Sequence, residues 1–441
     1  MLRHLQLTSP ALHLRISREQ ILKLAEPIYA SLVLFVLTVG PVVTLWRDAQ
    51  RFVPVDAAQS ATYVLAQIPA LMLLSVRSLR LKRSVSLTLL FVLCAWTLLA
   101  SIISPYSAFA IPSALKTLLA TATGLYLAVS FSNTKQLVIV SASMQIGIVL
   151  SYISVMRIWT DSRLGNGQWS GIMINPNFLG PVAVTAVVAN VGLMALCWKE
   201  VVPRWKLAVI LGILGVTFFD IVVLVNTHSA NPVLAASMST VIVASSYIFI
   251  NRKAQRVQSF ALQMVAGVGL ITASALALLV YVFNGLVNGP VLPVNVLQSR
   301  IYAWQHAWQG GLERPFFGWG DGVAWGDPLF RRLDGWWTVE LLAHSHSGYL
   351  ETLLDSGVLA LLLLIAYLVF GCLEATKRGL SDSHSLIIFT FVFLYIYLSI
   401  FEPFLVTNYF TWTILVMFLA GRVTHMVSPR THWSSLVQDR S

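Results

Sequence analysis

Twelve long apolar runs, at roughly 27–46, 61–76, 84–104, 112–131, 137–156, 174–197, 207–226, 233–250, 259–283, 349–373, 385–405 and 408–425, take up most of this 441-residue chain. A bilayer crossing needs about 20 apolar residues, so twelve crossings and short connections use up the sequence. The expected fold is an all-α integral membrane protein of about 12 transmembrane helices, one polytopic domain over residues 1–441. Composition agrees, because only 11% of residues are charged where a soluble protein carries roughly 25%. That deficit excludes an ordinary cytosolic enzyme and a disordered chain. Cys94, Cys197 and Cys372 lie in or beside apolar runs, so no disulfide framework is implied.

The formal net charge is +11. In a soluble protein that would invite a nucleic-acid reading, but here the question is which side of a membrane holds it. The basic N-terminus (Arg3, Arg15, Arg18, Lys23) lacks a short apolar run with a small-residue cleavage site, so the first run is a retained span. Threading twelve spans with the N-terminus inside leaves 20 of the 29 Lys and Arg on the inner side, as positive-inside topology requires. Both termini are therefore expected in the cytoplasm.

The connection at 284–348, between the ninth and tenth runs, is the one long loop, and on this threading it is periplasmic. Long loops in compact proteins are usually functional. This one holds six tryptophans and the basic residues Arg300, Arg314, Arg331 and Arg332. Around Arg300 the pattern is helical, ended by Pro315, Gly318 and Gly320. A cation at a helix start opposes the helix dipole. Arg300 is then a headgroup anchor, a loop salt bridge, or a fork for phosphate oxygens.

His344 and His346 come just before the tenth run, with Tyr349 close behind. They are an interfacial pair or supply a general base, since imidazole accepts a hydroxyl proton near neutral pH. A metal is set aside, because zinc takes three or four ligands and the local sequence offers no third. In GIMINPNFLG, Asn175 reads as a helix cap, while Asn177 and Arg163 are candidate pocket contacts. Glu402 is a carboxylate in an apolar run, a functional candidate by default, with a loop Arg as its expected partner.

Arginine suits a diphosphate, tryptophan suits sugar rings, and histidine suits deprotonating a hydroxyl. Together they fit glycosyl transfer from a lipid diphosphate. The run from Ser299 through Gly318-Trp319-Gly320, followed by HSHSGYLETLLDSGVLA (344–360), resembles the signature of the O-antigen ligase/polymerase superfamily (Wzy/WaaL-like). GIMINPNFLG is similar to an earlier element of that family.

The resemblance implies a metal-independent glycosyltransferase of the bacterial inner membrane, without cofactor, acting on undecaprenyl-diphosphate-linked glycans as donor and acceptor. His346 matches the family's base and Arg300 the arginine that holds the diphosphate. Ser347 stands where the family usually has Asn, and the family's second Arg is absent from NTHSANP (226–232). Arg163, Arg331 or Arg332 is then its stand-in. Arg163, Asn177, Arg331, Arg332, His344, Tyr349 and Glu402 form the expected substrate-binding set.

HSHSGYLE is closer to exopolysaccharide repeat-unit polymerases, with transfer to lipid A-core by a ligase as the alternative. A flippase and a chain-length regulator are candidate partners beside membrane lipid, and nucleic acid is not one. A polysaccharide transporter is the distant alternative. Transporters usually carry internal repeats and midplane polar sites, and neither is visible here.

Overall fold

The computed structural model describes residues 18–38, 55–77, 81, 83–156, 167–173, 175–200, 203–239, 294–326, 344–377, 383–407 and 409–421. Among them every regular element is helical, and there is no β-strand. In chain order these are α1 (Arg18–Val36), α2 (Val55–Arg77), α3 (Val85–Ile103), α4 (Ser107–Ser130), α5 (Asn133–Met156), α6 (Pro176–Glu200) and α7 (Pro203–Asn226). There follow α8 (230–239), α9 (Val294–Glu313), α10 (Gly348–Lys377), α11 (Ser383–Phe401) and α12 (Phe410–Gly421).

Each apolar run except the ninth overlaps one of these helices; residues 259–283 lie outside the described part. Seven of the described helices are long and apolar enough to cross a membrane. Three shorter apolar stretches, Leu24–Val36, Ile387–Phe401 and Phe410–Ala420, accompany them. The chain is a multi-pass helical membrane protein.

Local chemistry sets the helix starts. Ser84 is extended (φ −146°, ψ 161°) and its hydroxyl accepts from Leu87 N–H, an ordinary N-cap. Asn175 does the same for α6, its side-chain oxygen accepting from Asn177 N–H at 2.8 Å. Pro176 follows as the first helical residue, where its missing N–H costs nothing. The cap expected for Asn175 is thus its role.

Packing is dominated by α3 against α10, α4 against α12 and α2, and α6 against α5 and α7. Close approach of α4 and α12 depends on Gly124, where a Cβ would lie 2.6 Å from the Thr413 carbonyl oxygen. Beside it the fully buried Trp412 donates its indole N–H to Thr121 Oγ1 at 2.8 Å. In membranes such small-residue contacts and interhelical hydrogen bonds hold helices together, because lipid supplies no hydrophobic drive between them.

The α3–α10 pair is fastened at both ends. Glu374, late in α10, accepts from the Val85 N–H at 2.9 Å at the start of α3. Toward the other end Trp96 Nε1 donates to the Ser356 carbonyl at 2.9 Å, and the Trp96 ring stacks on Phe317 at 4.9 Å. Phe317 belongs to the turn after α9, so this pair is also the seat of the long loop.

Candidate active site

Three segments converge where α10 begins: the second turn of α9, the turn 344–347, and the connection from α11 to α12. Because α9 starts at Val294, Arg300 lies inside the helix and not at its expected start. Arg300 on α9 donates from Nη2 to Glu402 Oε1 at 2.9 Å. Glu402 Oε2 stands 3.4 Å from His346 Nδ1. The carboxylate therefore lies between the guanidinium and the imidazole. It is nearly sealed, with 4% of its side chain exposed against 17% for Arg300 and 19% for His346. A buried carboxylate is costly without a cation and hydrogen bonds, and Arg300 supplies both. The loop-Arg partner expected for Glu402 is Arg300.

The turn is rigid for reasons that can be named. Ser345 Oγ donates to the Ser347 carbonyl at 2.8 Å and accepts from Ser347 N–H at 3.2 Å. His346 N–H donates to His344 Nδ1 at 3.3 Å, and Gly348 N–H to the Glu402 carbonyl at 3.0 Å. These contacts hold His346 at φ +53°. A side chain in the left-handed region costs roughly 1–2 kcal/mol, and such strain clusters at functional sites.

The two imidazole rings meet edge to face, centroids 4.2 Å apart. Burial, with His346 and the Arg300 charge close by, pushes His344 down to about 3, so it is neutral at physiological pH. Its Nδ1 accepts a hydrogen bond, which assigns the proton to Nε2.

Glu351 is a residue that sequence reasoning passed over. From the first turn of α10 its Oε2 accepts from Ser345 N–H at 2.8 Å, and its Oε1 from Trp325 Nε1 at 2.9 Å. It clamps the histidine turn to the far part of the long loop. Its signal in the sequence was an acidic residue in the first turn of a helix, where the dipole favours it.

Below that clamp, Trp319 N–H and Gly320 N–H donate to the carbonyls of Leu354 and Asp355 at 2.9 and 2.8 Å, and Val358 N–H to the Pro315 carbonyl at 2.7 Å. The proline–glycine run expected to end the loop helix thus docks against α10, at the point where Gly357 interrupts it (φ 80°). Asp321 is buried in the same turn, its backbone N–H on Ser101 Oγ at 3.2 Å. Burial pushes its carboxyl up to about 6.

Other expected site residues fall differently. Asn177 Oδ1 accepts from Ser229 Oγ at 3.1 Å, which joins the start of α6 to the turn 227–229. The neighbouring Phe178 packs near Phe404 and Tyr409, at 6.5 and 5.7 Å between centroids. Asn177 is thus engaged with Ser229, while its neighbour Phe178 faces the connection that carries Glu402. Tyr349 OH donates to the Ile396 carbonyl at 3.3 Å, tying α10 to α11. Arg163, Arg331 and Arg332 lie outside the described residues.

The third metal-ligand candidate missing from the local sequence is Glu402. Among the described residues, His344, His346 and Glu402 bring ligand atoms within 4.8 Å of one another. Zinc bonds of about 2.0–2.1 Å would require these groups to close up further. Arg300 already occupies one carboxylate oxygen, and its charge opposes a second cation there.

Chemically the arrangement offers a fixed cation, an imidazole held by a carboxylate and a second, neutral imidazole. Residues 215–365 match the family described as O-Antigen ligase. That stretch runs from α7 into α10 and includes Arg300, His344, His346 and Glu351. No curated protein matches the chain. Over this segment, about a third of its length, the chain is similar to the O-Antigen ligase family.

Proposed function

We propose that the protein transfers a glycan from undecaprenyl diphosphate onto a sugar hydroxyl at the periplasmic face of the inner membrane, as a polysaccharide repeat-unit polymerase. The observation that carries this reading is the Arg300–Glu402–His346 cluster, at 2.9 and 3.4 Å, at the head of apolar α10, with Arg300 and His346 inside the matched family segment and Glu402 beyond it. His346 donates its Nδ1 proton to Glu402, leaving the Nε2 lone pair to take the proton of the acceptor hydroxyl. The hydroxyl oxygen attacks the anomeric carbon. The bond from that carbon to the diphosphate breaks, and its electron pair leaves with undecaprenyl diphosphate.

Arg300, held by Glu402 through Nη2, presents its remaining N–H groups to the leaving diphosphate, whose oxygens a guanidinium matches two at a time. Placing fixed positive charge where anionic charge develops lets an arginine take the role of a metal. A single displacement inverts the linkage. The reaction needs no metal in this account. Arg163, Arg331 and Arg332 remain the candidates for a second cation on the diphosphate, and a flippase and a chain-length regulator the candidate partners.

The ligase reading, with lipid A-core as acceptor, is favoured by the description of the matched family, and by no feature of the Arg–Glu–His cluster. His346→Ala and Arg300→Ala, expressed in place of the wild type, are each expected to abolish polymer while membrane insertion is unchanged. Losing a general base costs about 10²–10⁴ in rate, and losing a charge stabiliser about 10²–10³. Normal polymer from a well-inserted His346→Ala protein would remove the base from the mechanism.

A further inference from the structure

α9 buries one side and leaves the other open. Ala303 and Ala307 are fully buried, clustered with Leu354 of α10, while Gly311 lies against Leu353. On the open side Trp308, Leu312 and Phe316 are 52%, 58% and 68% exposed. Trp308 and Leu312, four residues apart, share one side of α9, next to a polar line of Gln305, Gln309 and Glu313, and Phe316 continues the apolar stripe from the turn that follows Pro315. A helix split in this way suits a boundary between apolar and aqueous surroundings.

The stripe has a direction. Its upper end is Arg300, level with the first residue of α10 through Glu402 and Gly348. Trp304 comes one turn later, its ring 6.3 Å from Phe401. The lower end is Phe316, whose backbone lies against Gly357, nine residues or about 14 Å further along α10. At that level the uninterrupted apolar part of α10 begins, with Val358, Leu359, Leu362 and Ile365 all exposed. The stripe is thus continuous below with a surface that faces lipid, and above with a cation that suits a diphosphate.

We propose that Trp308, Leu312 and Phe316 form a ramp for the first isoprene units of the lipid-diphosphate donor, guiding the chain from the hydrocarbon edge up to Arg300. This rests on the glycosyltransferase reading above. A lipid whose diphosphate must reach a site about 14 Å above the hydrocarbon edge would expose its first isoprenes to water. Apolar side chains along the path remove that penalty, at roughly 25 cal/mol per Å² covered. The ramp makes chain length a determinant of donor use.

The test uses purified full-length protein and two donors bearing the same glycan, one on a long polyprenyl diphosphate and one on a two-isoprene diphosphate. The readout is the ratio of kcat/KM for the long donor to that for the short one. Wild type is expected to favour the long donor. Trp308→Ser/Leu312→Ser/Phe316→Ser is expected to lower the ratio about tenfold, in line with the loss of apolar contact area. The single variant Leu312→Ser should move it the same way by less, and Gln309→Ser on the polar line should leave it in place. An unchanged ratio in the triple variant would overturn the ramp, and the stripe would then face bulk lipid or another part of this chain. Absence of transfer from either donor by wild type would instead overturn the reading on which the ramp rests.

Discussion

Glu402 is the residue on which the site turns, because one buried carboxylate serves both Arg300 and His346. Glu402→Gln keeps the shape but replaces one acceptor oxygen with an amide donor facing a guanidinium or an imidazole. Turnover at saturating donor is expected to fall, by up to about 10⁴-fold, the loss found when the carboxylate that orients a catalytic histidine becomes an amide, with Glu402→Asp between the two. A Glu402→Gln enzyme of wild-type turnover would show that His346 needs no orienting partner.

His344 gives a second expectation at this scale. Unfolded, it takes up a proton near 6.5; folded, burial holds it neutral down to about 3. The unfolded chain binds more protons between these values, so this contribution to stability is intact above pH 6.5 and lost as pH falls toward 3. Asp321 has the opposite sign. Its folded carboxyl is raised to about 6, so its contribution is present below about 3.8 and lost as pH rises through 6. In detergent, His344→Asn should lose less melting temperature than wild type between pH 7 and 4.5, and Asp321→Asn less between pH 4.5 and 7. Parallel curves for all three proteins would contradict both assignments.

The turn after α9 and the break in α10 are one device at the scale of elements. Gly357 sits at φ 80°, where a Cβ would come 2.2 Å from the Phe316 carbonyl oxygen. Gly318 sits at φ 63°, with the Asp355 backbone 2.5 Å from its missing Cβ. Gly357→Ala and Gly318→Ala are each expected to destabilise the protein by about 1–3 kcal/mol, read as a lower melting temperature, with transfer falling further because the loop loses its seat. Gly→Ala at the open position Gly212, where a Cβ meets nothing within 4 Å, should not destabilise.

This device marks what the sequence could and could not convey. Pro315, Gly318 and Gly320 were readable as a helix stop, because their backbone chemistry is local. That the stop docks on a glycine 37–42 residues later in the chain was not, since nothing local records that contact. Likewise the helical runs, the Asn175 cap, Arg300, His346 and Glu402 could be picked out from residue type and neighbours. Glu351 could not, because its task is defined by Ser345 and by Trp325, 26 residues before it. Glu402 as third member of a possible ligand set was hidden for the same reason, lying 56 residues beyond His346.

For the whole molecule, the polar groups do not all gather at the end that carries the site. Within the spanning helices, Asp220 of α7 accepts from Gln145 of α5 at 2.7 and 2.9 Å and from Asn190 of α6 at 2.8 Å. Three helices are thereby joined through one fully buried carboxylate. Asp220→Leu, which leaves both amides without their acceptor, is expected to cost about 1–3 kcal/mol and to lower the melting temperature without changing the donor preference. Equal stability of the variant would reduce the network to an incidental contact.

Metal-independent transfer is what separates an Arg–Glu–His mechanism from a metal site at the same residues. The direct measurement is reconstitution of the purified protein with lipid-diphosphate repeat units as both donor and acceptor, in the presence of excess chelator. A ladder of longer lipid-linked glycans, absent for His346→Ala, is the predicted result. Transfer that appears only when lipid A-core is added would make the protein a ligase, with the same cluster at work. No transfer to either acceptor with chelator, and transfer restored by added zinc, would contradict the account and give His344, His346 and Glu402 to a metal.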